Sequence, residues 1–166
     1  NLVSIRKLIV AWGLVGALVA ARGLVQFFAK LAEARAKGEN FYSAYIGDRI
    51  TGFMSHWMTF GGLEMFALLL LGAFLLLAPR QSRKRALLWW LCGLIMLTAL
   101  VLGFTRSIWL ATAVGGVYLL WQWRRLSVLA LPVLLLIAWF AAPAPVKARA
   151  SSILQPTRGD SNTHRV

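Results

Sequence analysis

Apolar residues in this chain fall in long blocks rather than in the short alternations of a water-soluble fold. Five blocks, at 8–28, 58–78, 86–104, 107–123 and 126–142, each come close to the roughly 17–25 residues that a helix needs to cross hydrocarbon. The fourth and fifth are the shorter ones and predict spans with little tilt. Only Thr105 and Arg106 part the third block from the fourth, which predicts a tight helical hairpin. Pro132 predicts a kink in the fifth, and Pro143 and Pro145 predict its end and the start of an extended segment. The pattern gives an all-α, multi-pass transmembrane bundle of about five spans over 1–166, with outer segments at 29–57 and 143–166.

The segment 29–57 is too long for a simple turn. Its first nine residues are rich in Ala, Lys and Glu and predict an extension of the first helix into water, stopped by Gly38. Phe41, Tyr42, Tyr45 and Ile46 then predict a short interfacial element. Gly52, Gly61 and Gly62 surround the start of the second block, where glycine permits a positive-φ turn or close helix approach.

Composition agrees with the pattern. The chain is 60% hydrophobic and 14% charged, and its mean hydropathy is +0.71. A soluble domain of 166 residues has too much surface to hide that much apolar area. A net charge of +13 would suggest nucleic acid in a soluble protein, but here most basic residues flank apolar blocks and read as topology and headgroup signals. Arg6 and Lys7, then Arg80, Arg83, Lys84 and Arg85, then Arg124 and Arg125 form three short acid-free segments on alternate connections, which predicts that they are cytoplasmic. The lone Cys92 rules out a disulfide within the chain and argues against a Cys-based metal site. The chain starts at Asn1 without a visible cleavable leader and stops soon after a dense polar motif; it reads as an internal piece of a longer membrane protein.

Three polar clusters interrupt the apolar pattern: Asp48 to His56, Thr105-Arg106-Ser107, and Arg158 to Arg165. Two apolar blocks separate each cluster from the next, and an even number of crossings returns the chain to the same face, here the outer one. Arginines gathered on one face suggest an anionic ligand, because guanidinium pairs two oxygens at once. Arg106 stands just before the N-terminus of the fourth span, whose free N–H groups favour anions; it also fits a snorkelling anchor. Arg49 opens the first cluster, with Thr51 able to cap a helix or bond a ligand. In the third, Arg158, Asp160, Asn162 and Arg165 fit either a capped loop or a ligand site. His56 fits a general base or an interfacial hydrogen-bonding residue beside Trp57. Arg22 and Glu64 each stand six residues inside the outer end of a span, about 9 Å deep, which predicts a structural ion pair.

Together these pieces resemble the O-antigen ligase and O-antigen polymerase family of bacterial inner-membrane proteins. The stretch Arg49-Ile50-Thr51-Gly52-Phe53-Met54-Ser55-His56-Trp57 through Gly62 is similar to one branch of that family entering a span. Phe104-Thr105-Arg106-Ser107 is similar to its Ser/Thr-Arg-small motif at an outer hairpin tip, and Gly159 to Arg165 to its Asp-x-x-Asn-x-x-Arg element. The resemblance implies a partial ligase-like membrane domain with its polar motifs facing the periplasm. It implies transfer of a glycan from undecaprenyl pyrophosphate to an acceptor hydroxyl, on the lipid A core or a growing polysaccharide, without metal or other cofactor. By motif, Arg106 and Arg165 would bind the pyrophosphate, with Arg49 helping. The family's base histidine would follow the third cluster, beyond Val166, and is transferred neither to His56 nor to His164; this stretch alone would then be inactive. The alternative is a non-catalytic membrane subunit or an anion or lipid transporter segment, with arginines lining an anion path.

Overall fold

The structure is a computed structural model that describes residues 2–77 and 82–154. It is all-helical among those residues: α1 (Leu2–Lys37), α2 (Phe41–Gly47), α3 (Trp57–Leu77), α4 (Arg83–Leu102), α5 (Arg106–Trp123), a 3₁₀ segment (Arg125–Ala130), α6 (Leu131–Ala141) and α7 (Ala144–Leu154). Three of the described helices are long and apolar enough to cross a membrane, in the stretches Ile5–Lys37, Trp57–Leu77 and Arg83–Leu102. The chain is thus built for a membrane.

α1 runs on past its apolar block as one helix of 36 residues, about 54 Å long. It ends where Gly38 takes φ 69. There the Glu39 N–H donates to Ala34 O at 3.0 Å and the Gly38 N–H to Arg35 O at 3.2 Å, a Schellman closure. α2 starts on Asn40, whose side chain accepts from the Tyr42 N–H at 3.0 Å.

α1, α3 and α4 pack about a seam of small residues. A Cβ on Gly16 would lie 2.8 Å from Met96 Cε and 3.0 Å from Ala67 Cβ; one on Gly23 would lie 2.8 Å from Phe60 Cζ. Such close approach gives dispersion contacts where lipid offers no hydrophobic drive between helices. These pairings also fix direction, since Gly13 meets Leu71 and Trp89 near one end and Gly23 meets Phe60 near the other. α1 and α4 therefore run one way and α3 the other.

α5 runs with α3, its Ile108 against Gly61 and its Leu119 against Gly72. The expected α4–α5 hairpin thus turns tightly at 103–105, but α5 leans on α3 more than on α4. The fifth block does not form one continuous helix: a 3₁₀ segment gives way to α6 just before Pro132, which has no N–H to give and so suits a helix start. The segment after Pro143 is not extended as expected. It is α7, with Pro145 in the first turn and Pro143 O accepting from the Val146 and Lys147 N–H groups at 3.0 and 3.1 Å. Proline in a first turn costs no helix hydrogen bond.

Candidate functional site

The end of the bundle where α1 and α4 finish and α3 and α5 begin holds the first two polar clusters. Its scaffold is a turn at Thr51 to Met54, closed by the Met54 N–H donating to Thr51 O at 2.8 Å. Gly52 has φ 61 there, and a Cβ on it would meet Phe60 Cδ2 at 2.8 Å, so both backbone and packing demand glycine. Gln26 of α1 clamps the turn: its Oε1 accepts from the Thr51 and Gly52 N–H groups at 3.1 and 2.9 Å, and its Nε2 donates to Gly52 O at 2.9 Å. Thr51 serves this turn through its backbone.

The α4–α5 connection is equally tied down. Phe104 has φ 49, unusual outside glycine. Carbonyls at and just past the end of α4 accept from side chains: Leu100 O from Trp109 Nε1 at 3.2 Å, Leu102 O from the Tyr45 hydroxyl at 2.8 Å, Gly103 O from Thr105 Oγ1 at 3.2 Å, and Phe104 O from Arg149 Nε at 3.1 Å. Such side-chain donors are what a helix end needs where water is scarce. Phe104, Tyr45, Phe41 and Phe27 form a chain of aromatic contacts with centroids 5.0–5.5 Å apart.

Three arginines converge on this frame from three separate elements. Arg49, 8% exposed, follows α2 and lies over the Trp57 ring at 5.4 Å. Arg106 opens α5, and Arg149, 5% exposed, arrives on α7. Burial pushes the Arg49 guanidinium below its usual basicity; the charge of Arg149 and, less strongly, that of Arg106 push the same way, while Tyr45 and Tyr42 oppose. Arg106 in turn feels Arg149. Asp48, next in sequence to Arg49, turns outward to pair with Lys30, its side chain 82% exposed. The Arg49 Nε is buried and, among the described residues, donates no hydrogen bond. Guanidinium groups brought together in this way, two of them buried, form a site whose chemistry suits an anion. Burial also pushes the Tyr45 phenol well above its usual range, so its hydroxyl stays a donor.

The other expected residues fare differently. Arg158, Asp160, Asn162, His164 and Arg165 lie outside the described residues. Arg149, which the sequence did not single out, joins Arg49 and Arg106 at this end. His56 stacks on Trp57 at 4.0 Å between centroids, and its Nδ1 accepts from the Met58 N–H at 3.2 Å. With Nδ1 accepting from that N–H, the His56 side chain caps the start of α3. The Arg22–Glu64 pair does not form. Arg22 is exposed, whereas Glu64 is fully buried with neither carboxyl oxygen hydrogen-bonded. Their depths match but their directions do not: α1 faces the core through Gly16, Ala20 and Gly23, and Arg22 is turned about 100° from Gly23.

At the same end, an open cleft of about 140 Å³ lies between the end of α1 and α2. Four of its charges pair with one another, Lys30 with Asp48 and Lys37 with Glu33, the latter at 2.6 Å. Among the described residues no group of three His, Cys, Asp or Glu comes together. Comparison with protein-family models, with curated proteins and with solved structures finds no match.

Proposed function

We propose that this chain is a metal-independent, multi-pass glycosyltransferase unit of the bacterial inner membrane, with its arginine site facing the periplasm. It moves a glycan from undecaprenyl pyrophosphate to an acceptor hydroxyl, on the lipid A core or a growing polysaccharide. In this reading α5 and the 3₁₀–α6 stretch are the fourth and fifth crossings. The 17 residues from Arg125 to Ala141 rise about 28 Å. That length suits a return from the Arg125 end to the Arg149 end across hydrocarbon.

The observation that carries the reading is the convergence of Arg49, Arg106 and Arg149. In the transfer, the bond from the anomeric carbon to the pyrophosphate oxygen breaks and its electron pair goes to the diphosphate. The acceptor oxygen forms the new glycosidic bond and gives its proton to a base. Charge grows on the leaving diphosphate, and fixed guanidiniums in a low-dielectric pocket stabilise it more than the ground state. Arg106 serves as a bidentate ligand of that charge, Arg49 as a rigid one stacked on Trp57, and Arg149 as both ligand and brace of the turn before Arg106. A carboxylate beside Arg49 would compete with the diphosphate, and its neighbour Asp48 pairs with Lys30 instead.

The experiment is a reconstituted transfer assay with the full natural protein and an undecaprenyl-pyrophosphate-linked glycan. Arg106→Lys keeps the charge but loses the planar fork. It is expected to lose most transfer while the helical content and thermal midpoint stay unchanged. Undiminished transfer would remove Arg106 from the mechanism.

A further inference from the structure

α2 carries two tyrosines one turn apart, and the fold uses them differently. Tyr45 is spent on structure: its ring is 2% exposed, and its hydroxyl donates to Leu102 O at 2.8 Å while accepting from the Ile50 N–H at 3.4 Å. Tyr42 is half-buried, with its ring edge-on to Phe104 at 6.1 Å between centroids, two residues before Arg106. Among the described residues its hydroxyl makes no hydrogen bond. The same phenol lies within electrostatic reach of both Arg49 and Arg106.

Covering Phe104 requires only an aromatic ring, and α2 already places a phenylalanine at Phe41 for its contact with Phe27. The oxygen on Tyr42 needs another reason. A phenol is a neutral donor on a stiff arm with two torsions. Beside three mutually repelling guanidiniums it adds a hydrogen bond without adding a fourth positive charge. Its carrier is rigid: Asn40 caps α2 through the Tyr42 N–H, and Tyr45 pins the next turn to the end of α4.

We propose that Tyr42 is a further ligand of the arginine site, its O–H donating to a non-bridging oxygen of a bound diphosphate. This rests on the reading of the site as a diphosphate site, and the test separates the two. The full natural protein in lipid nanodiscs is titrated with undecaprenyl pyrophosphate, alongside Y42F, Y45F and R106A, and the thermal midpoint of each is recorded. Loss of one hydrogen bond to a charged acceptor is expected to weaken binding by Y42F about tenfold with its midpoint unchanged. Y45F is expected to lower the midpoint instead. Wild-type affinity in Y42F, with R106A impaired, overturns the role of Tyr42 and leaves the diphosphate reading standing. A lowered midpoint in Y42F assigns the hydroxyl to packing and also overturns it. If the unsubstituted protein does not retain the lipid, the diphosphate reading falls, and this inference with it.

Discussion

Both ends of the bundle are basic, yet the two sets of cations have opposite surroundings. At one end Arg6, Lys7, Arg83, Lys84, Arg85, Arg124 and Arg125 are all exposed and spread over helix termini, and several lie on neighbouring aromatic rings. At the other, Arg49 and Arg149 are buried and, with Arg106, converge from separate elements. An exposed arginine at a helix end needs only water and headgroups, and it biases topology by its number. A buried arginine has lost its water, so its position has to be held by structure and its charge answered by something else. The comparison teaches that number alone does not distinguish the two sets of cations; burial and convergence do.

The sharpest way to break this comparison is to neutralise one cation at each end. Arg106→Ala is expected to weaken undecaprenyl pyrophosphate binding about a hundredfold, as loss of a charged hydrogen-bonding partner does. Arg124→Gln should leave it unchanged. Equal losses in a nanodisc titration would erase the distinction between the ends. Next in size is the frame that holds Arg49. Gly52→Ala forces a side chain into φ 61 and against Phe60, and is expected to cost about 2–4 kcal/mol, read as a lower thermal midpoint.

Glu64 sharpens the comparison from the apolar side. Its carboxyl oxygens are buried without a partner, so Glu64→Leu is expected to raise stability by about 1–3 kcal/mol in chemical denaturation. A loss of stability would show that the carboxyl has a partner after all. The smallest effect belongs to the exposed end: replacing Arg83, Lys84 and Arg85 together by Gln should change stability by no more than about 0.5 kcal/mol. The same change should raise the fraction of inverted chains in a topology-reporter fusion.

Much of this was legible in the chain because it is local. The Ala, Lys and Glu run up to Gly38 predicts the long α1 and its stop, and Gly52 predicts its own turn. Counting crossings puts Arg49 and Arg106 at the same end. What escaped depends on direction or on distant return. Depth along a helix follows from residue number, but facing does not follow from depth, so Arg22 and Glu64 looked like partners and are not. Gln26 sits in an apolar block with nothing to mark it as the clamp of a turn 25 residues away. Arg149 was hidden because two prolines suggested an extended path, and because its burial exists only once α7 folds back on the α4–α5 turn.

That return has a temporal side. The Phe104 carbonyl leaves the ribosome 45 residues ahead of the guanidinium that will bind it. Until α7 has been made and docked, the kink ahead of Arg106 lacks one of its four braces. The arginine cluster is therefore completed late, after the helices that frame it have been made, and a truncation before α7 should leave the α4–α5 turn loosely held.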